Sequence, residues 1–448
     1  MNGKWYKTTS SIRGPLLVVE DVENVSYGEI CKVRGEGEFL GQVLDVSESR
    51  AVLQLFENST GLDLSSKVKF TGKTAEVGVG DNMLGNIFDG LGRCTSDNTY
   101  TPEKYLDVNG AALNPAARKS PSEFVETGMP VIDTMTTLVR GQKLPVFSES
   151  GLPHNELAAR IVNDSNIHGE DFVVVFAAIG VTNEEKNYFL DSFKKNGAME
   201  NTVCFINTAD DPSVERVMTP RVALSAAEYL AWEKEKHVLV VMSDITNYCE
   251  SLREISSSRN EIPGRRGYPG YMYTDLASLY ERCGVVQGVQ GSVTQIPILS
   301  MPSGDRTHPV PDLTGYITEG QIYLDKSLSG KSVNPPVNPL KSLSRLMGNV
   351  MDKTREDHKA LKDQLYASYA RGVEVRQVSA VVGEESLSEE DKAHLDFASK
   401  FEKEFISQSE RKKIVESLDK AWWLLSLLPV KDLKKLKKPM IDKYMSGK

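Results

Sequence analysis

The chain has 448 residues, of which 40% are hydrophobic and 26% charged, and its formal net charge is -9. That length calls for two or three cores rather than one, and the composition lies near globular averages, which excludes disorder, collagen-like repeats and a membrane-spanning class. An acidic chain repels duplex nucleic acid unless its basic residues gather on one face, so nucleic acid is set aside as a partner.

In chain order, residues 1–74 read as short β segments: GPLLVVEDV, GEICKVR, FLGQVLDVS, AVLQLFE and KVKFTGK are rich in Val, Ile, Leu and Phe and are punctuated by Gly, Ser and Asn. Several short strands in so few residues predict a small barrel or sandwich. Residues 75–352 change to apolar runs, DFVVVFAAIGV, NTVCFINT, HVLVVMSD and VTQIPILSM, alternating with amphipathic stretches such as EEKNYFLDSFKKNG. That alternation predicts a parallel α/β sheet with helices on both faces, its ligand loops beyond the strands' carboxyl ends, where SESGLPHNE, GVTNEE and SDITN should lie. Residues 353–448 lose the β signal, and HKALKDQLYASYARG, EEDKAHLDFASKFEKEFIS and RKKIVESLDKAWWLLSLL predict a helical domain. Ser388 ahead of Glu389, Glu390 and Asp391 has the chemistry of a helix N-cap.

Cys31, Cys94, Cys204, Cys249 and Cys283 are scattered and odd in number, as in the reduced thiols of a cytosolic protein. The histidines His154, His168, His237, His308, His358 and His394 have no paired spacing, so no metal held by protein side chains alone is expected. The apolar stretch AWWLLSLLPV is about half the length that spans a bilayer, so membrane association would go through partners. The lysines between Lys431 and Lys448 read as a solvated helix face.

The segment PGRRGYPGYMYTDLASLYERCG packs Gly, Pro and Arg into a turn followed by an amphipathic helix. Together with RGQKLPVFSESGLPHNELAARI, FINTADDPSVERVMTPRVALSAAEYLA, QIPILSMPSGDRTHPVPDLTGYITEGQIYLDKSL and NPPVNPLKSLSRLM, it resembles the B subunit of V/A-type rotary ATPases over nearly the whole chain. The resemblance implies a β-barrel, a RecA-like P-loop-type α/β domain and a helical bundle.

A working phosphate loop, G-x-x-x-x-G-K-[ST], needs glycines to wrap phosphates with N–H groups, a lysine for the β and γ oxygens and a hydroxyl for magnesium. Aligned through the resemblance, Ser148 and Pro153 replace the two glycines, His154 the lysine and Asn155 the hydroxyl residue, while Glu149 brings a carboxylate. Val181, in GVTNEE, stands where catalytic relatives carry the glutamate that polarises the attacking water, and valine cannot orient water. Glu184 and Glu185 read as the first turn of a helix, and Asp244 as a cap on the turn after its strand. No cofactor is therefore expected to be held by this chain alone, and no ATP hydrolysis by it in isolation.

Arg345, in SLSRLM, matches the arginine that in this superfamily reaches a neighbour's nucleotide and stabilises charge on the γ-phosphoryl. Ser344 and Tyr316 are expected on the same face, as further nucleotide contacts. The resemblance further implies ATP or ADP with Mg at the interface with a catalytic A subunit, an alternating A3B3 ring, and central rotor and peripheral stalk partners. It places the chain in the cytoplasm, peripheral to the membrane, coupling ATP turnover to proton or sodium transport, with EESLSEED at a stalk contact. Two alternatives stay open: a purely structural or regulatory ring subunit, and an ATPase in its own right.

Overall fold

The computed structural model describes residues 4–56, 59–96, 99–164 and 172–445. His168, the start of the DFVVVFAAIGV run at Asp171 and the end of the lysine-rich tail lie outside the described residues.

Seven antiparallel strands form the first layer, in the order Trp5–Tyr6, Lys67–Phe70, Ile30–Arg34, Glu38–Ser47, Arg50–Leu55, Leu16–Val19, Thr9–Arg13. The first two strands in sequence, joined through Lys7 and Thr8, stand at opposite ends of that order, so the chain itself closes the sheet into a barrel. The Thr9 hydroxyl donates to the Ser66 carbonyl across the seam at 3.0 Å. Alternate residues point inward, and Leu17, Val33, Leu53 and Val68 fill the interior.

The second layer is a parallel sheet in the order Ile87–Asp89, Thr202–Thr208, Phe172–Val181, His237–Ser243, Ser292–Met301, Val146–Glu149, Gly320–Tyr323, with Leu343–Ser344 antiparallel at the far edge. The Phe172–Val181 strand is central. Its Val174, Phe176, Ala178 and Val181 enter one core with the helices His154–Asp164 and Asn183–Lys195, while Val173, Val175, Ala177 and Ile179 enter another with Ser213–Trp232 and Ile245–Ser258. Burial on both faces is why these strands read as continuous apolar runs. Between barrel and sheet lies a ribbon, Glu76–Val79 paired with Lys104–Asp107, whose strands are too short for the run-length signal to separate from loop.

The third layer is helical: His358–Val382, Glu389–Phe401 continuing into a π turn at Glu402–Ile406, Ile414–Leu425 and Lys438–Tyr444. Ser388 caps the second helix, its hydroxyl accepting the Asp391 N–H at 3.1 Å. The stacked rings Phe397, Phe401 and Phe405 and the buried Leu361, Leu365 and Trp422 belong to the same core as Ile132 and Leu157 of the sheet domain. The two domains thus share one apolar core.

His358 is buried at this junction, with Nε2 3.0 Å from the Thr134 carbonyl and Nδ1 2.6 Å from the Thr354 hydroxyl. Burial lowers its pKa against the raising effect of the Thr134 carbonyl, so it stays neutral where an unfolded histidine takes up a proton. The unfolded state then binds more protons, and this contribution to stability is complete above about pH 6.5 and falls as pH drops toward the depressed folded value. Urea midpoints measured between about pH 7.5 and about pH 5 should decline in the native chain and decline less in His358→Gln, which keeps a donor for Thr134 without titrating. Equal slopes would remove His358 as the cause.

Candidate nucleotide-facing site

Phe172–Val181 and His237–Ser243 are neighbours, with Val146–Glu149 one strand further on beyond Ser292–Met301, and the carboxyl ends of all three carry the loops singled out from the sequence. After Val146–Glu149 the chain turns through Gly151, at φ 82°, into the helix His154–Asp164. This turn is closed by its own groups. The Leu152 N–H bonds the Glu149 carbonyl at 3.2 Å, and the His154 N–H bonds the Leu152 carbonyl at 2.8 Å. His154 Nδ1 lies 3.3 Å from the Ser148 hydroxyl and 3.1 Å from the Leu152 carbonyl. The imidazole therefore folds back into the turn, where a loop lysine would reach outward.

Asn155 Nδ2 donates to Glu185 Oε1 at 2.7 Å, so the side chain at the magnesium-hydroxyl position is tied to the neighbouring helix. Glu185 also completes a capping box: its carboxylate accepts the Thr182 N–H at 2.8 Å, and its own N–H bonds the Thr182 hydroxyl at 3.2 Å. The helix-start reading of Glu184 and Glu185 holds, and Val181 is buried in the core. Asp244 caps the helix Ile245–Ser258, with Oδ1 accepting the N–H groups of Thr246 at 2.7 Å and Ser300 at 3.2 Å, while the Ser300 hydroxyl donates to Oδ2.

Glu149 has a local countercharge that the sequence did not reveal. The Tyr323 hydroxyl donates to its Oε1 at 3.4 Å, and Lys326 Nζ lies 4.0 Å from Oε2. Arg306 and Lys341 lie over the Tyr323 ring at 5.6 and 4.8 Å. Burial and the Glu149 charge raise the tyrosine pKa, so it remains a donor to the carboxylate. A carboxylate thus stands amid the cations at the mouth of this loop.

At the sheet's far edge, Gly320 pairs with Ser344 and Gln321 with Leu343. Gly320 has φ 138°, and a Cβ there would sit 2.0 Å from the Leu343 carbonyl, so only glycine allows this crossing. Arg345 follows directly and is exposed. Its N–H bonds the Glu319 carbonyl at 2.9 Å, and its guanidinium Nη1 donates to the Thr318 carbonyl at 3.5 Å. Among the described residues it has no carboxylate partner within ion-pair distance. Tyr316, two residues before Thr318, is 74% exposed on the helix Pro309–Ile317.

Ser344 does not share that face. It is 2% exposed, and its hydroxyl donates inward to the Thr137 carbonyl at 2.8 Å. Strand alternation accounts for this, since consecutive residues point to opposite sides and Arg345 takes the outer one. Sequence reasoning missed the residues beneath the paired strands Gly320–Tyr323 and Leu343–Ser344. Lys143 is 4% exposed and pairs with Glu319 at 2.7 Å and Glu281 at 3.2 Å. Burial acts to lower its pKa, but the charge and hydrogen bond of Glu319 together with the charges of Cys283 and Glu281 outweigh it and raise the ammonium pKa. The available signal was the RGQK sequence at Arg140–Lys143, in a segment otherwise notable only for its apolar strand.

Exchanging His154 for Lys alone should not create a nucleotide site, because Pro153 still lacks an N–H and Glu149 still occupies the mouth. Titration calorimetry of His154→Lys with MgADP is expected to show no saturable heat; saturation would refute the self-closed loop. Gly320→Ala should lower stability by roughly 1–3 kcal/mol in urea unfolding, and a neutral result would contradict the backbone collision.

Three family models match the chain in order. The ATP synthase alpha/beta family β-barrel domain matches residues 9–72, the nucleotide-binding domain of that family 128–344, and the C-terminal domain of V and A type ATP synthase 348–445. Among solved structures, a unique ATP synthase subunit NeqB from Nanoarcheaum equitans is 43% identical, with 93% of this chain and 100% of that chain covered at a TM-score of 0.76. With every layer matched, the chain is a member of the V/A-type ATP synthase alpha/beta subunit family.

Proposed function

We propose that this chain is the non-catalytic B subunit of a V/A-type rotary ATPase, which completes the ATP site of a neighbouring catalytic A subunit with Arg345. The observation that carries this reading is the contrast between the chain's two candidate sites. The loop aligned with the phosphate loop is closed on itself through Ser148 and His154, and its Asn155 is tied to Glu185 of the neighbouring helix, whereas Arg345 stands exposed without a carboxylate partner among the described residues.

In the proposed ring, three copies alternate with three A subunits, and ATP or ADP with Mg sits at the interface, held mainly by the partner. Arg345 donates to the γ-phosphoryl oxygens as negative charge develops there, a role that needs a fixed cation and no proton transfer. Tyr316 lies at the rim of the same interface. Ser344, with its hydroxyl turned inward, supports the backbone beneath Arg345 instead of touching nucleotide. Opening and closing of these interfaces would drive the central stalk against a peripheral stalk and so move protons or sodium ions in a separate membrane sector. Among the described residues no helix is long and apolar enough to cross a membrane, which fits attachment through such a complex.

ATP turnover should be absent in the isolated chain and present in the ring assembled with catalytic subunits. In an Arg345→Ala ring that still assembles, turnover should fall roughly 1,000-fold to 100,000-fold. Turnover by the isolated chain would make it an ATPase in its own right, and an unaffected Arg345→Ala ring would leave a purely structural subunit.

A further inference from the structure

Gln142 is fully buried beside the edge strands Gly320–Tyr323 and Leu343–Ser344, and its side-chain amide is completely used. Oε1 accepts the Val139 N–H at 3.0 Å, while Nε2 donates to the Ser344 hydroxyl at 3.0 Å and to the Glu319 carbonyl at 3.3 Å. Those last two groups flank Arg345 where Gly320–Tyr323 pairs with Leu343–Ser344. Ser344 is the preceding residue, and the Glu319 carbonyl is the one that accepts the Arg345 N–H at 2.9 Å. One amide therefore ties together both backbone supports of the arginine.

We infer that Gln142 is a positioning residue for Arg345, setting the point from which the guanidinium leaves the surface; this rests on the reading of Arg345 as an arginine given in trans. The geometry leaves little slack. The Ser344 hydroxyl spends its own proton on the Thr137 carbonyl, so it accepts from Gln142 without competing for that bond. Glu319 is held at its carboxylate by the Lys143 N–H at 2.9 Å and the Lys143 ammonium at 2.7 Å, and at its carbonyl by Gln142. Without the Gln142 amide the Glu319 carbonyl keeps only the Arg345 N–H and the Ser344 hydroxyl keeps only its bond to Thr137, so the two supports of Arg345 are no longer tied to each other and their spacing is free to shift. A shift of about 1 Å at the base of a transition-state contact is enough to cost on the order of 100-fold in rate.

The test is a double-mutant cycle in the assembled ring with MgATP as substrate. Gln142→Met keeps the volume and removes every polar contact, whereas Gln142→Glu keeps an acceptor for Val139 and leaves at most one donor for the two groups that Nε2 bridges. Each is made with Arg345 intact and with Arg345→Ala, and assembly is verified by size exclusion; if one variant does not assemble, the other carries the cycle. The expected result is a loss in kcat of about 10-fold to 100-fold with KM nearly unchanged, and no further loss in the residual turnover of the Arg345→Ala ring. An equal loss in both backgrounds, or none with Arg345 intact, overturns the inference. A neutral Arg345→Ala ring overturns the arginine reading itself, an outcome that shows without any change at Gln142.

Discussion

Burial of the Phe172–Val181 strand on both faces is the constraint on which the rest of the structure depends. Its alternate side chains feed two separate cores, so a slip of one residue would exchange Phe176 with its neighbours and spoil both. The register it shares with Thr202–Thr208 and His237–Ser243 brings the strand ends level. Every loop of interest hangs from that common edge: the turn after Glu149, the capping box at Thr182 and the cap at Asp244.

A fold of this kind offers the same edge for phosphate binding whether or not the loop is used. Here the loop's polar groups are satisfied internally. His154 turns toward Ser148 and the Leu152 carbonyl, Asn155 is held by Glu185, and Glu149 sits beside Lys326 and Tyr323. Once those partners are made, a phosphate would have to displace a carboxylate and break hydrogen bonds without gaining a lysine. At the sheet's outer edge the opposite holds, since the polar groups of Gln142, Ser344 and Glu319 are spent below the surface and leave the guanidinium of Arg345 above it.

The helical layer cannot move independently of the sheet domain without exposing apolar surface. Phe397, Phe401 and Trp422 share a core with Ile132 and Leu157, and His358 adds a polar tie to Thr134. A displacement imposed on the helices would be passed through packed side chains to the helix after the phosphate loop, and Arg160 strengthens that link by donating to the Gln408 and Glu410 carbonyls. Packing of this sort would carry a change at one end of the chain to the other.

The three-layer order was legible in the sequence because each layer has its own period: short alternating strands, long apolar runs, then helical stretches with a Ser388 cap. The unusual composition of the loop after Val146–Glu149 was legible too, since Pro153 has no N–H and Glu149 carries a carboxyl group in any conformation. The inward turn of Ser344 was not, because it depends on the pairing of Gly320 with Ser344, made between residues far apart in the chain. Nor were the partners of Glu149 and the grip of Gln142, which arise where Tyr323, Lys326 and Glu319 are folded against the earlier strand. Sequence alone thus determined which groups the chain possesses and which chemistry it lacks. Only the tertiary structure decided which of those groups are spent on one another and which face outward, because hydrogen bonds and ion pairs are settled by distance in space.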